Sequence, residues 1–294
     1  MNHRPEKPQH LAEIDAFYRN KIAAAGSLAA DRCAKAPPLA PDYDADALSH
    51  LPPGVTQTSF GCGNPLAFAG VRPGETVLDL GCGAGLDLLV AAERTGPNGR
   101  VIGVDMSEAM AEQARVNARR AGLANIEVHN GVIEQLPVDS ASVHWVVSNC
   151  VINLAADKPT VFREIHRVLR PGGQMLISDL VANDLPDWVH ASKDLYAACV
   201  SHAVSEAQYL AAAEAAGLSD VAVVDRMTYG QAELRVLVRD ELPVALEALA
   251  DRLGKSADET LEFVVRELTD RIQSVKVYAK RQVASGLPPL SCCA

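Results

Sequence analysis

Two hydrophobic periods alternate along the middle of the chain. Val77, Leu78 and Leu80 form a short apolar run that halts at Gly81, the pattern of a strand buried on both faces. A helix-period segment opens at Leu86, and the alternation then repeats: strand to Asp105, helix 108–121, strand 126–129, strand 143–148, helix 158–169, strand 174–179. Strands divided by helices predict an α/β fold, a doubly wound and mostly parallel sheet. The run Leu169, Arg170, Pro171, Gly172, Gly173 stops one helix and turns the chain into the next strand.

The flanks follow other patterns. Leu11, Ile14, Tyr18 and Ile22 recur at helical spacing, which predicts an amphipathic helix lying over the main domain as a lid on its ligand. Prolines and aspartates between positions 37 and 53 leave a loop. Past position 205 the pattern predicts a helix at 206–216, strands near 221–225 and 234–238, helices at 243–253 and 257–271, and a strand at 272–279. Ser256 followed by Glu259 is a capping box for the second of those late helices. The expected organisation is therefore an N-terminal helix and loop (1–70), a main domain (71–228), a smaller α+β carboxyl-terminal unit (229–283) and a tail (284–294).

Composition narrows the class. The chain has 294 residues, 48% of them hydrophobic, enough for a full core. No apolar run of 18 residues and no apolar segment behind Arg4, Glu6 and Lys7 is present, so the expectation is a cytoplasmic protein without a membrane partner. A formal charge of −10 argues against a nucleic-acid partner and for a small-molecule ligand.

The loop after the first strand carries the first chemistry. Gly81, Gly83 and Gly85 let main chain approach a ligand closely, while Leu86 stands where a dinucleotide fingerprint needs its third glycine. The run from Asp79 to Gly85 suits S-adenosylmethionine instead: Asp79 for the methionine ammonium, and Gly81, Cys82 and Gly83 beside the sulfonium. Asp105, ending the second strand, can accept from both ribose hydroxyls. After the third strand, Ile133 and Glu134 flank the adenine from a run in which Val132 stands where many methyltransferases have an acid. Met106 can cover the other ring face. Asp79, Asp105, Glu134 and Asn149 all end at the carboxyl edge of strands and should face one crevice.

Seven cysteines without a C-x-x-C pair read as thiols rather than as a disulfide framework or a zinc site. Cys62 sits between two glycines, which exposes its sulfur. Cys150 follows the fourth strand directly, within the run 148–154 (Ser-Asn-Cys-Val-Ile-Asn-Leu), and Cys199 follows the fifth on a helical or turning segment. For Cys82, inside the glycine loop, a small buried hydrophobe is the simpler role.

These motifs, with the Asp157-Lys158 run ending in Phe-Arg-Glu, resemble those of the arsenite S-adenosylmethionine methyltransferases, over residues 10–225 and 273–281. The resemblance implies a class I, Rossmann-like methyltransferase fold, S-adenosylmethionine as cofactor, a small arsenical as substrate, and an external thiol reductant of glutathione or thioredoxin type. It implies Cys62, Cys150 and Cys199 as ligands of trivalent arsenic and Cys33 as a partner in disulfide exchange with Cys62. Cys292 and Cys293 in the tail would collect arsenite or be inert. One departure stands out: Ser201-His202-Ala203 replaces the small, glycine-containing run usual after the third of these cysteines. If that segment is helical, His202 faces Cys199 and tunes its thiolate; otherwise it is a solvated surface residue. Two other functions compete, methylation of a small organic carbon or oxygen nucleophile and sequestration of arsenic without catalysis.

Overall fold

The computed structural model describes residues 9–28, 43, 48, 51–52, 55, 63–190, 192, 199–241 and 243–283. In chain order its elements are α1 (Gln9–Leu28), β1 (Thr76–Leu80), α2 (Leu86–Thr95), β2 (Arg100–Asp105), α3 (Glu108–Ala121), β3 (Ile126–Asn130), β4 (Val143–Asn149), α4 (Lys158–Val168) and β5 (Leu169–Ala182). They continue with α5 (Asp187–His190), α6 (Glu206–Ala215), β6 (Leu218–Thr228), α7 (Gln231–Val236), α8 (Pro243–Leu253), α9 (Ala257–Leu268) and β7 (Ile272–Arg281).

Among the described residues the strands make one seven-stranded sheet in the order β3-β2-β1-β4-β5-β7-β6. The pairs among β1 to β5 are parallel, and β7 runs antiparallel to both β5 and β6. The expected doubly wound sheet is thus the observed one.

Alternate residues of each strand feed two apolar layers. Leu78, Leu80, Ile102, Val104 and Val146 join Phe162 and Ile165 of α4 and Tyr209 of α6 on one face. Val77, Val101, Trp145 and Val147 join Leu88 and Leu89 of α2 and Ala114 of α3 on the other. Phe162 and Tyr209 meet edge to face, with centroids 5.4 Å apart. Helix starts are fixed locally: the Asp157 carboxylate accepts from Thr160 N at 3.1 Å to open α4, and both Ser205–Gln208 and Ser256–Glu259 form reciprocal capping boxes.

Three expectations need correction. Residues 234–238 are helical, as the end of α7 and a π-helical turn Leu237–Glu241, and not a strand. Leu234 and Val238 are buried four residues apart while Val236 between them is 56% exposed, a helical period that a short apolar run does not reveal by itself. Helix α9 ends at Leu268, because Thr269 turns extended and Asp270 is left-handed. Strand β7, assigned to the carboxyl-terminal unit, lies inside the main sheet, so residues 229–271 are a helical excursion between two neighbouring strands. The 170–173 turn leaves the ladder, since β5 pairs with β4 first at Leu169–Val143 and next at Gln174–Trp145.

Candidate active site

The glycine loop is held by the neighbouring strand. Gly81 N and Cys82 N both donate to Val104 O, at 2.8 and 3.2 Å, which folds the chain back over the end of β2. Gly81 has φ +66°, and a Cβ there would stand 2.4 Å from Cγ2 of Val151, so the loop closes directly on the residue after Cys150. Asp105 fixes the other side: its Oδ2 accepts from Gly83 N at 2.9 Å and its Oδ1 from Ser107 N at 2.8 Å.

Beyond this loop opens a crevice with about 950 Å³ of empty space, mouth included. Of the residues expected there, Gly81, Cys82, Gly83, Asp105, Met106, Ile133, Glu134, Asn149 and Cys150 all line it, as do Leu11, Ile14 and Tyr18 of α1, which lies where a lid would. Ile133 is 8% exposed, and Glu134 Oε1 accepts from Ala156 N at 3.3 Å. Three acids and no Lys, Arg or His stand among the described lining residues, an environment for a cationic ligand and not for a pyrophosphate.

Asp79 is not part of that lining. It lies beneath the loop, 2% exposed, and its Oδ2 has no hydrogen-bond partner among the described residues. Burial, then the charges of Asp87 and Asp105, raise its carboxyl well above the usual range. Asp87, unremarked in the sequence, is the member of this buried acid pair that lines the crevice. Burial lifts it to about 6, against the hydrogen bonds from Tyr43 OH to Oδ1 (2.5 Å) and from Asn149 Nδ2 to Oδ2 (3.4 Å). An acid in the first turn of a helix is ordinary dipole compensation, so nothing in the sequence set Asp87 apart. Of the two raised carboxyls, Asp87 is the one placed to meet an ammonium group in the crevice, with Asp79 buried behind it.

Two cysteines meet at the crevice wall. Cys150 is 8% exposed, its N donates to Ser178 O at 2.8 Å, and its φ is +58°. Cys199 is 2% exposed with φ +63°, and its thiol donates to Cys150 O at 2.6 Å. Left-handed backbone is rare outside glycine and marks both residues as held by their surroundings. The sulfur of Cys150 is in a disulfide whose partner lies outside the described residues, whereas Cys199 and Cys82 are free thiols. Cys33, Cys62, Cys292 and Cys293 also fall outside the described residues. Cys82 is buried beside the loop, and burial pushes its thiol pKa well up, which makes it a poor nucleophile.

Behind Cys199 sits a polar network. Asp179, lifted to about 6 by burial, accepts from Asn153 Nδ2 at 2.9 Å and Tyr209 OH at 3.0 Å, and Lys158 Nζ donates to His202 O at 3.0 Å. Residues 199–202 form a turn and not a helix, so the premise that put His202 on the Cys199 side fails. His202 is exposed, with its ring bonded to Ser201 Oγ at 3.1 Å.

The comparisons agree with this geometry. A family model described as a methyltransferase domain matches residues 72–217. Arsenite methyltransferases from Halobacterium salinarum and Aquipseudomonas alcaligenes are 45% and 34% identical to it, over 63% and 82% of this chain and 47% and 67% of their own lengths. The chain thus spans about half of the halobacterial protein and two thirds of the other. The crystal structure of an arsenic(III) S-adenosylmethionine methyltransferase from Chlamydomonas reinhardtii aligns with a TM-score of 0.63 at 30% identity, over 86% of this chain and 76% of that one. A geranyl diphosphate C-methyltransferase from Streptomyces coelicolor, 20% identical with a TM-score of 0.58, shares the fold alone. With relatives this similar over this much of their length, the chain belongs to the arsenite methyltransferase family.

Proposed function

We propose that the chain methylates trivalent arsenic, arsenite or methylarsenite, with S-adenosylmethionine as methyl donor, as a step in arsenic detoxification. The observation that carries this reading is the position of Cys150, which lines the acidic crevice and at the same time receives the Cys199 thiol on its carbonyl.

The crevice residues fit a sulfonium cofactor. Asp105 is the acceptor for ribose hydroxyls, Asp87 at the lining supplies the acid for the methionine ammonium, Met106 and Ile133 flank the base, and Glu134 and Asn149 complete the polar wall, while Asp79 stays beneath the loop. Bound there, S-adenosylmethionine supplies an electrophilic methyl group. Basic side chains are absent from the described lining, which suits a cation.

The cysteines fit the acceptor. Trivalent arsenic is soft and thiophilic, and it takes thiolates in a pyramid whose apex carries a lone pair. That lone pair is the nucleophile and bears no proton, so the chain needs no general base. Cys150 and Cys199 hold two positions and Cys62 the third. Fixing the acceptor against the crevice turns a bimolecular displacement into a positioned one, for which effective molarities of order 10⁵ M are attainable.

A thiol reductant of glutathione or thioredoxin type belongs to the cycle. Cys150 cannot ligate arsenic while its sulfur is in a disulfide, and thiol exchange is what frees it. Cys33 is assigned to that exchange, and Cys292 and Cys293 to collecting arsenite. Such a cycle fits the reducing cytoplasm, and no described helix is long and apolar enough to cross a membrane. The test is to incubate the protein with cofactor, thiol and either arsenical and to separate the arsenic species formed. Methylated arsenic supports the proposal. Its absence, with arsenite still bound, would favour sequestration.

A further inference from the structure

The register that carries Asn149 continues across the sheet into polar residues that the proposed chemistry does not use. Asn149, Ser178, Lys276 and Asp225 stand opposite one another across β4, β5, β7 and β6. Register partners project to the same side of a sheet.

Residues 63–68 lie across that row. Gly63 O accepts from Asn149 Nδ2 at 2.5 Å, and a Cβ on Gly63 would stand 2.5 Å from Ser178 Oγ and 3.4 Å from Lys276 Cε. Main chain therefore rests directly on β5 and β7 at this point. Lys276 is only 5% exposed, its ammonium lies 2.6 Å from an oxygen of Asp225, and it stands 4.8 Å from the centre of the Phe68 ring. Pro65 and Leu66 are buried, but Phe68 is 48% exposed, so its ring leans on the cation rather than into the core. A lysine this deep persists because a carboxylate and an aromatic face hold it.

The geometry points to Lys276 as a positioning residue that anchors segment 63–68 to the sheet and thereby holds the backbone of Gly63, to which Cys62 is bonded, against Asn149, the residue before Cys150. This deepens the proposed function and rests on its assignment of Cys62 as the third sulfur. Arsenite needs three thiolates, whereas methylarsenite has one valence filled by carbon and needs two. The seat thus sets the preference between the two arsenicals without touching either.

The experiment compares kcat/KM for arsenite and methylarsenite in Lys276→Met, Phe68→Leu, Gly63→Ala and Gly63→Ala/Ser178→Ala. Losing the anchor is expected to lower arsenite turnover about tenfold or more, the scale on which small misplacements act, while methylarsenite stays within about twofold. Phe68→Leu alters a half-exposed ring and keeps the test open if Lys276→Met folds poorly. Removing Ser178 Oγ leaves the new Gly63 Cβ at 3.5 Å from the Ser178 Cβ, an ordinary contact, so the double variant should recover. Equal losses on both substrates, no loss, or no recovery would overturn the proposal.

A second readout needs no arsenic. In a background that keeps only Cys62, Cys150 and the buried Cys82, equilibration with reduced and oxidised glutathione gives the constant for exchange of one glutathione disulfide for the Cys62–Cys150 disulfide and two glutathione thiols. Lys276→Met should lower that constant about tenfold, because the constant reports how well the two thiols are juxtaposed. A value within twofold of the parent's would contradict the anchor. If the parent chain methylates neither arsenical, the proposed function fails while this constant still judges the anchor.

Discussion

The thiol of Cys199 lies 2.6 Å from the carbonyl oxygen of Cys150, and both residues hold left-handed backbone. The residue that follows β4 and a turn well beyond β5 thus meet, with Cys199 bonded to the backbone of the crevice-lining Cys150. Replacing either by serine keeps the size of the side chain but removes a soft ligand, and methylation of both arsenicals should be lost. Cys62→Ser should spare methylarsenite. Turnover assays on the three variants with both substrates check this pattern.

Asp105→Ala is expected to weaken cofactor binding at least tenfold, the scale of hydrogen bonds to a charged acceptor, and to leave arsenite binding unchanged. The carboxylate is bonded to Gly83 N and Ser107 N on the cofactor side of the crevice, away from Cys199. Calorimetry with each ligand separately measures both halves. An unchanged cofactor affinity would remove Asp105 from the ribose site.

Asp87 gives a pH prediction. Its pKa is about 6 when folded, against the usual 3.8, so the native chain holds that proton more tightly than the unfolded one. The resulting stability is complete below pH 3.8 and is lost as pH rises through about 6. Asp87→Asn should therefore stabilise the cofactor-free protein at pH 8, by about 3 kcal/mol at most, and much less at pH 5. It should also weaken cofactor binding, and in the parent chain affinity should rise with pH through the same range. Denaturant melts and calorimetry at both pH values decide it.

Gly81→Ala should destabilise the loop on two counts, a positive φ and a Cβ 2.4 Å from Val151 Cγ2. A loss of about 1–3 kcal/mol is the expected scale. Because Val151 follows Cys150, arsenite turnover should fall with it. Wild-type stability in this variant would mean that the loop does not close on Val151.

Much of this arrangement was legible in the chain, for physical reasons. Buried parallel strands read as apolar runs, and Val77–Leu80 and 143–148 could hardly be anything else beside glycine and helix signals. Asp105, Ile133, Glu134 and Asn149 followed because strand ends gather at one edge. The 234–238 segment reads as a strand because Leu234, Val236 and Val238 alternate in sequence, yet only the first and last are buried, on a helix. Asp87 was hidden by its common role at a helix start, and the Tyr43 contact joins segments that no local pattern relates. The turn at 199–202 had no marker either, since no glycine announces the left-handed Cys199.

Removal of the last four residues, Ser291 to Ala294, should raise the arsenite concentration needed for half-maximal rate and leave the maximal rate unchanged, if Cys292 and Cys293 collect substrate. Initial rates at low arsenite are the measurement, and identical curves would make the tail inert.

The central claim is that thiolate-bound arsenic is methylated beside the acidic crevice. Its most direct test incubates the parent chain and Cys199→Ser, side by side, with S-adenosylmethionine, excess thiol and methylarsenite, and quantifies dimethylated arsenic by chromatography with elemental detection. The account predicts dimethylated product from the parent and none above background from Cys199→Ser. Equal product from both, or none from the parent under conditions where it binds methylarsenite and cofactor, would contradict it.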